Sequence, residues 1–241
     1  MSKKKIIIVG GSGSIGSCIA REIKNEGFEP ILIGRNITSL KSLSDELNCS
    51  YEIIDVTESK KLKEYLETNN DNVFGIAYCV GSIELKPFSL TTEQEYIESF
   101  KLNTVGAIIS IQSLQNTLIK NKGSILLFST IAVKQGFTNH SLVSTSKGAI
   151  EGLTLSLAAE LSPHVRVNCI APSLTESNMS RKLISNENIK KAIENMHPIP
   201  KLGHPDDYGK ISAFLLGNNN KWITGQIIHV DGGRSTLRKK G

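Results

Sequence analysis

Short runs rich in β-branched residues alternate with longer amphipathic stretches along the whole chain, and this alternation restricts the fold more than any other feature. Residues 6–9, 30–34, 51–54, 73–79, 124–129, 165–171 and 226–230 read as strands. Between them lie residues 17–26, 37–47, 59–67, a long stretch from about 92 to 119, 141–161 and 206–216. These carry apolar residues every three or four positions, as Leu153, Leu157, Ala158 and Leu161 do, which is helix spacing. Strands separated by helices need crossover connections, and these build a parallel sheet with helices on both faces. The expectation is a three-layer, doubly wound α/β fold around a mainly parallel, seven-stranded sheet. One segment, 180–207, breaks the rhythm: it is polar and helical at first, then interrupted by Pro198, Pro200, Gly203 and Pro205. With no repeat or linker in sight, residues 1–241 read as a single domain. The odd segment reads as a lid-like insertion at the sheet's C-terminal edge.

Composition removes several classes of function. With 39% hydrophobic and 21% charged residues the chain lies outside the disordered class. No apolar run approaches the ~20 residues that cross a bilayer. Lys3, Lys4 and Lys5 before Ile6-Ile7-Ile8-Val9 imitate a secretion signal. That apolar run ends at Gly10, however, short of the roughly 7 to 15 residues such a signal needs. Cys18, Cys49, Cys79 and Cys169 are scattered without metal-ligand spacing and read as free thiols of a cytoplasmic protein. The net charge of +5 reads as solvated tails, Lys3–Lys5 at one end and Arg234, Arg238, Lys239 and Lys240 at the other. With 5% aromatics for base stacking, nucleic acid is not the expected partner; a small molecule is.

The first strand runs into Gly10-Gly11-Ser12-Gly13-Ser14-Ile15-Gly16, with helical spacing after it. Glycines there let the backbone turn sharply and approach a pyrophosphate, while free N–H groups at the helix start attract its charge. In isolation such a run is merely a flexible turn; between strand one and helix one it points to a dinucleotide. The second strand ends at Gly34-Arg35-Asn36. An acidic residue there would favour NAD(H), whereas Arg35 suits a 2′-phosphate, so NADP(H) is expected over NAD(H). Asp55 and Val56, closing strand three, would stand at the adenine edge.

From here the chain resembles the short-chain dehydrogenase/reductase family, in its 3-oxoacyl-reductase-like, single-domain form. The resemblance rests on Leu102-Asn103-Thr104, Ser129-Thr130, Ser144 to Ala149, Val165-Arg166-Val167-Asn168 with Ala171-Pro172, Ile223 to Gln226, and Val230 to Gly233. It implies a Rossmann-type fold, hydride transfer between a nicotinamide and a carbonyl or alcohol, and a homodimer or homotetramer built on the long helices. It implies cofactor contacts at Gly10, Ser12, Gly13, Ser14, Ile15, Gly16, Arg35, Asn36, Asp55, Val56, Gly81, Lys147, Pro172 and Thr175. Asn103 matches the family's helix-bending asparagine, Lys147 its lysine, and Thr130 falls at its serine, with Ser129 as neighbour.

The family's tyrosine is missing: four residues before Lys147 stands Val143. Hydride addition to a ketone leaves an alkoxide that needs a proton, and a positioned acid is typically worth about 10²–10⁴ in rate. His140, seven residues before Lys147, occupies the spacing at which enoyl-thioester reductases of the superfamily carry their tyrosine. It can titrate near neutrality. Tyr78, Ser141 and Ser144 are further candidates. Three readings follow: a carbonyl reductase with an altered donor, a C=C reductase using His140, or an NADP(H)-binding sensor without turnover.

Overall fold

In the computed structural model, which describes residues 3–238, the run of isoleucines after Lys4 forms an inner strand, β1 (Lys5–Val9). Its side chains alternate between two cores: Ile7 and Val9 enter one, Ile6 and Ile8 the other. A strand buried on both faces must be apolar throughout, which explains runs that show no hydrophobic alternation. The remaining strands are β2 (Glu29–Gly34), β3 (Ser50–Ile53), β4 (Val73–Tyr78), β5 (Ser124–Phe128), β6 (Arg166–Pro172) and β7 (Ile227–Val230). They form one seven-stranded sheet in the order β3-β2-β1-β4-β5-β6-β7. Every pairing is parallel. The observed strand ends fall within one residue of those expected.

Helices cover both faces: α1 (Ser14–Asn25), α2 (Ile37–Leu47), α3 (Ser59–Thr68), α4 (Glu93–Phe100), α5 (Gly106–Asn121), α6 (Ser141–Leu161), α7 (Glu187–Asn195) and α8 (Asp206–Leu216). Ile19, Leu40 and Leu216 of α1, α2 and α8 pack on one side of the sheet. Leu66, Leu114 and Ile150 of α3, α5 and α6 pack on the other. The chain moves outward from β1 to β3 and then returns to β4, leaving a crevice between the C-terminal ends of β1 and β4, where α/β sheets bind ligands.

Three sequence expectations need correction. Helix α1 begins at Ser14 rather than residue 17, because Gly13 serves as its N-cap and the glycine turn itself enters the helix. The stretch 92–119 is not continuous: a π-helical turn over Lys101–Val105 separates α4 from α5. Asn103 donates its side-chain Nδ2–H to the Ser99 carbonyl at 2.9 Å, competing with the backbone for that acceptor and widening the turn. Arg234, expected in a solvated tail, is only partly exposed and lies 4.8 Å from the Phe137 ring. Arg238 is exposed, while Lys239 and Lys240 lie outside the described residues. Among the described residues no helix is long and apolar enough to cross a membrane, and no His, Cys, Asp or Glu grouping could hold a metal.

Segment 180–207 leaves the sheet after β6 and returns at a bridge between Thr175 and Gly203. Helix α7 within it is capped by Asn186, whose Oδ1 accepts from the backbone of Asn188 and Ile189. The Ile199 N–H donates to the Gly232 carbonyl at 3.0 Å, fastening the segment to the chain after β7.

Candidate active site

Gly10, after β1, has a φ of +86°, and a Cβ there would press on the backbone of Cys79 and Val80 at the end of β4. A side chain on Gly16 would collide with the Gly10 carbonyl. The turn is therefore compact and can expose backbone N–H groups only because these positions lack side chains. Gly13 donates its N–H to the Gly10 carbonyl at 2.9 Å, closing the turn, and residues Gly13 to Gly16, at the start of α1, line one end of a cavity of about 510 Å³. The walls continue past Gly81, Lys147 and Val143 to His140 and the 180–207 segment.

Lys147 is buried, and its Nζ donates to the Val80 carbonyl at 3.1 Å. Burial pushes its pKa down to about 8. Asn103 is fully buried, and its Oδ1 has no hydrogen-bond partner. A Cβ on Gly81 would stand 3.1 Å from that oxygen and 3.2 Å from Lys147 Nζ. An orphaned acceptor, a buried ammonium and a gap held open by glycine fit a polar ligand group or an ordered water between them. These residues thus suit a nicotinamide nucleotide: the turn for its pyrophosphate, Lys147 for its ribose hydroxyls.

The strand-end hydroxyls differ. Ser129 donates to Glu151 Oε1 at 2.6 Å, so its proton is spent away from a ligand. Thr130 Oγ1 only accepts, from the Ala132 N–H at 3.3 Å, which leaves its proton free. Among the acid candidates, Tyr78 does not line the cavity; it is buried, and its hydroxyl donates to the Leu102 carbonyl at 2.6 Å. Burial pushes that phenol well above its ordinary range. Ser144 donates to Ala132, and Ser141 lies outside the cavity. His140 does line it. Its Nδ1 lies 2.7 Å from the Thr138 carbonyl, which can only accept, so Nδ1 carries a proton and Nε2 is the atom left to exchange one.

The adenosine-side residues lie apart from this cavity. Arg35 is mostly exposed, with Nη1 3.3 Å from Asp55 Oδ2. Burial opposes ionisation of Asp55, but hydrogen bonds from Thr57, with help from Arg35, hold the carboxyl below its usual range. Ser12 Oγ would touch a Cβ on Gly34, placing it beside the end of β2. Asn36 caps α2 through the Ser39 N–H. Val56 turns its side chain into the core, so only its backbone can face a ligand. Gly10, Ser12, Arg35, Asn36, Asp55, Val56 and Asn103 do not line the main cavity; Pro172 and Thr175 do.

The sequence reading missed a buried pair. Ser173 and His197 meet at 2.8 Å between Oγ and Nε2, and His197 Nδ1 donates to the Ile193 carbonyl at 2.8 Å. The pair joins β6 to the 180–207 segment. Ser173 and His197 stand 24 residues apart, so no local spacing marks them as partners.

A family model described as enoyl-(acyl carrier protein) reductase matches residues 10–235. The chain belongs to the short-chain dehydrogenase/reductase family, nicotinamide-dependent oxidoreductases with this fold. It is 29% identical over 238 residues to the 3-oxoacyl-(acyl-carrier-protein) reductase FabG of Rickettsia prowazekii (strain Madrid E), covering 97% of each chain. It is 29% identical over 240 residues to L-xylulose reductase of Caenorhabditis elegans, covering 96% of each. Among solved structures, ElxO with NADP bound superposes with a TM-score of 0.90 at 24% identity, covering 98% of this chain and 100% of that one.

Proposed function

We propose that the protein is an NADP(H)-dependent oxidoreductase of a carbonyl or alcohol substrate, with His140 supplying the proton that a tyrosine would otherwise give. The single cavity that joins the glycine turn, Lys147, Thr130 and His140 carries this reading. When bound, NADPH supplies the hydride. Lys147 holds the ribose, Thr130 donates a hydrogen bond to the substrate oxygen, and cationic His140 releases its Nε2 proton to it. Val143, an alkyl side chain on the same wall, can do neither. The 180–207 segment then serves as the lid.

NADP(H) is favoured because Arg35 is exposed at the end of β2. Its contact with Asp55 is solvent-exposed, and such pairs are worth about 0–1 kcal/mol, so a phosphate can displace it. Charge-assisted hydrogen bonds contribute about 1.5–3 kcal/mol. Arg35→Asp should therefore weaken NADPH binding by about 10- to 100-fold while leaving NADH unaffected, as read by calorimetry. An equal loss for both nucleotides rejects the 2′-phosphate role.

The function is tested by following 340 nm absorbance with NADPH and a panel of ketones and enoyl thioesters. His140→Ala should cut turnover by about 10²-fold or more while NADPH binding stays within twofold. The match to an enoyl reductase model favours a second reading, C=C reduction through the same acid, and the panel separates the two. NADPH binding with no oxidation across the panel would leave a sensor or scaffold.

A cytoplasmic location is part of the same proposal, supported by the four cysteines, all of which are free thiols. A homodimer or homotetramer is favoured by an apolar groove between α4 and α6, where Ile97 is 52% exposed and Phe100 38%. Analytical ultracentrifugation reads that state.

A further inference from the structure

The cavity is apolar over most of its wall, through Leu85, Phe137, Met179, Leu183, Ile189 and Ile193. No aspartate or glutamate lines it, while His140, Lys147 and Arg234 do. Lys147 belongs to the cofactor site and His140 to the proposed proton transfer. Neither use accounts for Arg234.

Arg234 is held in place rather than trailing in solvent. Gly232 and Gly233 take φ of +61° and +84°, a turn that favours glycine. The Asp231 carboxylate clamps that turn, accepting the Gly233 N–H at 2.9 Å and the Ser235 N–H at 2.8 Å. The guanidinium emerges over Phe137 at 4.8 Å, with Nη2 3.4 Å from Met196 Sδ. It thus spans from the loop before α6 to the 180–207 segment. Among the described residues no carboxylate lies within ion-pair distance of it, since Asp231 is engaged with the backbone. Partial burial disfavours the charge and lowers its pKa, the nearby Asp231 carboxylate offsets this only in part, and an incoming anion in direct contact would offset the remainder. The Phe137 ring also contacts His140, with centroids 5.2 Å apart, so Arg234 and the proposed acid flank one aromatic side chain.

We propose that Arg234 pairs with a carboxylate on the substrate, so that the cavity selects an amphiphile: an apolar body against the lid and an anionic group at the guanidinium. A planar fork of donors matches the two oxygens of a carboxylate. This proposal rests on reading the cavity as the substrate site of an NADP(H)-dependent oxidoreductase.

The test is calorimetry on the full chain, free and saturated with NADP+, using decanoate and decan-1-ol as probes. The wild-type chain should bind decanoate at least tenfold more tightly than decanol. Arg234→Gln should remove that preference and leave both decanol and NADP+ affinity within twofold, and Arg234→Lys should restore part of it. Equal affinity for the two probes, no binding of either, or an equal loss of both in Arg234→Gln would overturn the proposal. So would weakened NADP+ binding in that variant, which would assign Arg234 to the cofactor. If the wild-type chain binds no NADP+, the oxidoreductase reading fails instead, and the free-chain titrations still decide the role of Arg234.

Discussion

Val143→Tyr should raise NADPH-driven carbonyl reduction by about 10²- to 10⁴-fold, the range a positioned general acid contributes. Val143 lies one helical turn before Lys147 on α6, and both line the cavity wall. A phenol introduced there would extend into open volume toward the Lys147 ammonium, which favours its ionised form. The measurement is stopped-flow absorbance at 340 nm under single-turnover conditions, with NADPH affinity checked separately. Because the new acid bypasses the old one, His140→Ala in the Val143→Tyr background should cost little. A variant that binds NADPH normally and reduces carbonyls no faster would show that the proton donor does not limit this site.

Lys147→Met should weaken NADPH binding by about 10- to 100-fold, the loss of a charge-assisted hydrogen bond worth roughly 1.5–3 kcal/mol. Its pH signature separates this role from mere packing. Burial depresses the Lys147 pKa from 10.5 to about 8. In the wild-type chain, cofactor affinity should therefore fall as pH rises through about 8 and the ammonium loses its proton. Stability runs the other way. Between about 8 and 10.5 the unfolded chain holds a Lys147 proton the folded chain has released, so the contribution of Lys147 to stability, taken as the difference between wild type and Lys147→Met, rises with pH across that window. The affinity trend should vanish in Lys147→Met, read by calorimetry, and the stability difference is read by urea unfolding of both chains. A cofactor affinity with the same pH slope in variant and wild type would remove Lys147 from the ribose site.

Much of the architecture was legible because it depends on local spacing. The strand limits, and helices α2, α6 and α8, followed from periodicity, since burial on one helix face or on both strand faces leaves its mark on neighbouring residues. The break at Asn103 was harder to see. Apolar spacing runs through Lys101–Val105, and only the hydrogen bond from Asn103 to Ser99 opens the π-helical turn. The candidate site divided in the same way. Residues tied to a motif, such as Gly13, Thr130 and Lys147, could be named from order along the chain. Which of several candidate acids reaches the cavity could not.

By itself, then, the sequence determined a doubly wound parallel sheet, a glycine turn at its switch point and the absence of a tyrosine four residues before Lys147, all properties of near neighbours in the chain. The tertiary structure alone decided that Tyr78 is sealed in the core while His140 reaches the cavity, that Ser173 meets His197, and that Arg234 leaves its tail to lie over Phe137. These contacts join residues far apart in sequence. Their geometry is set by how helices and loops pack on the sheet, which no local period encodes.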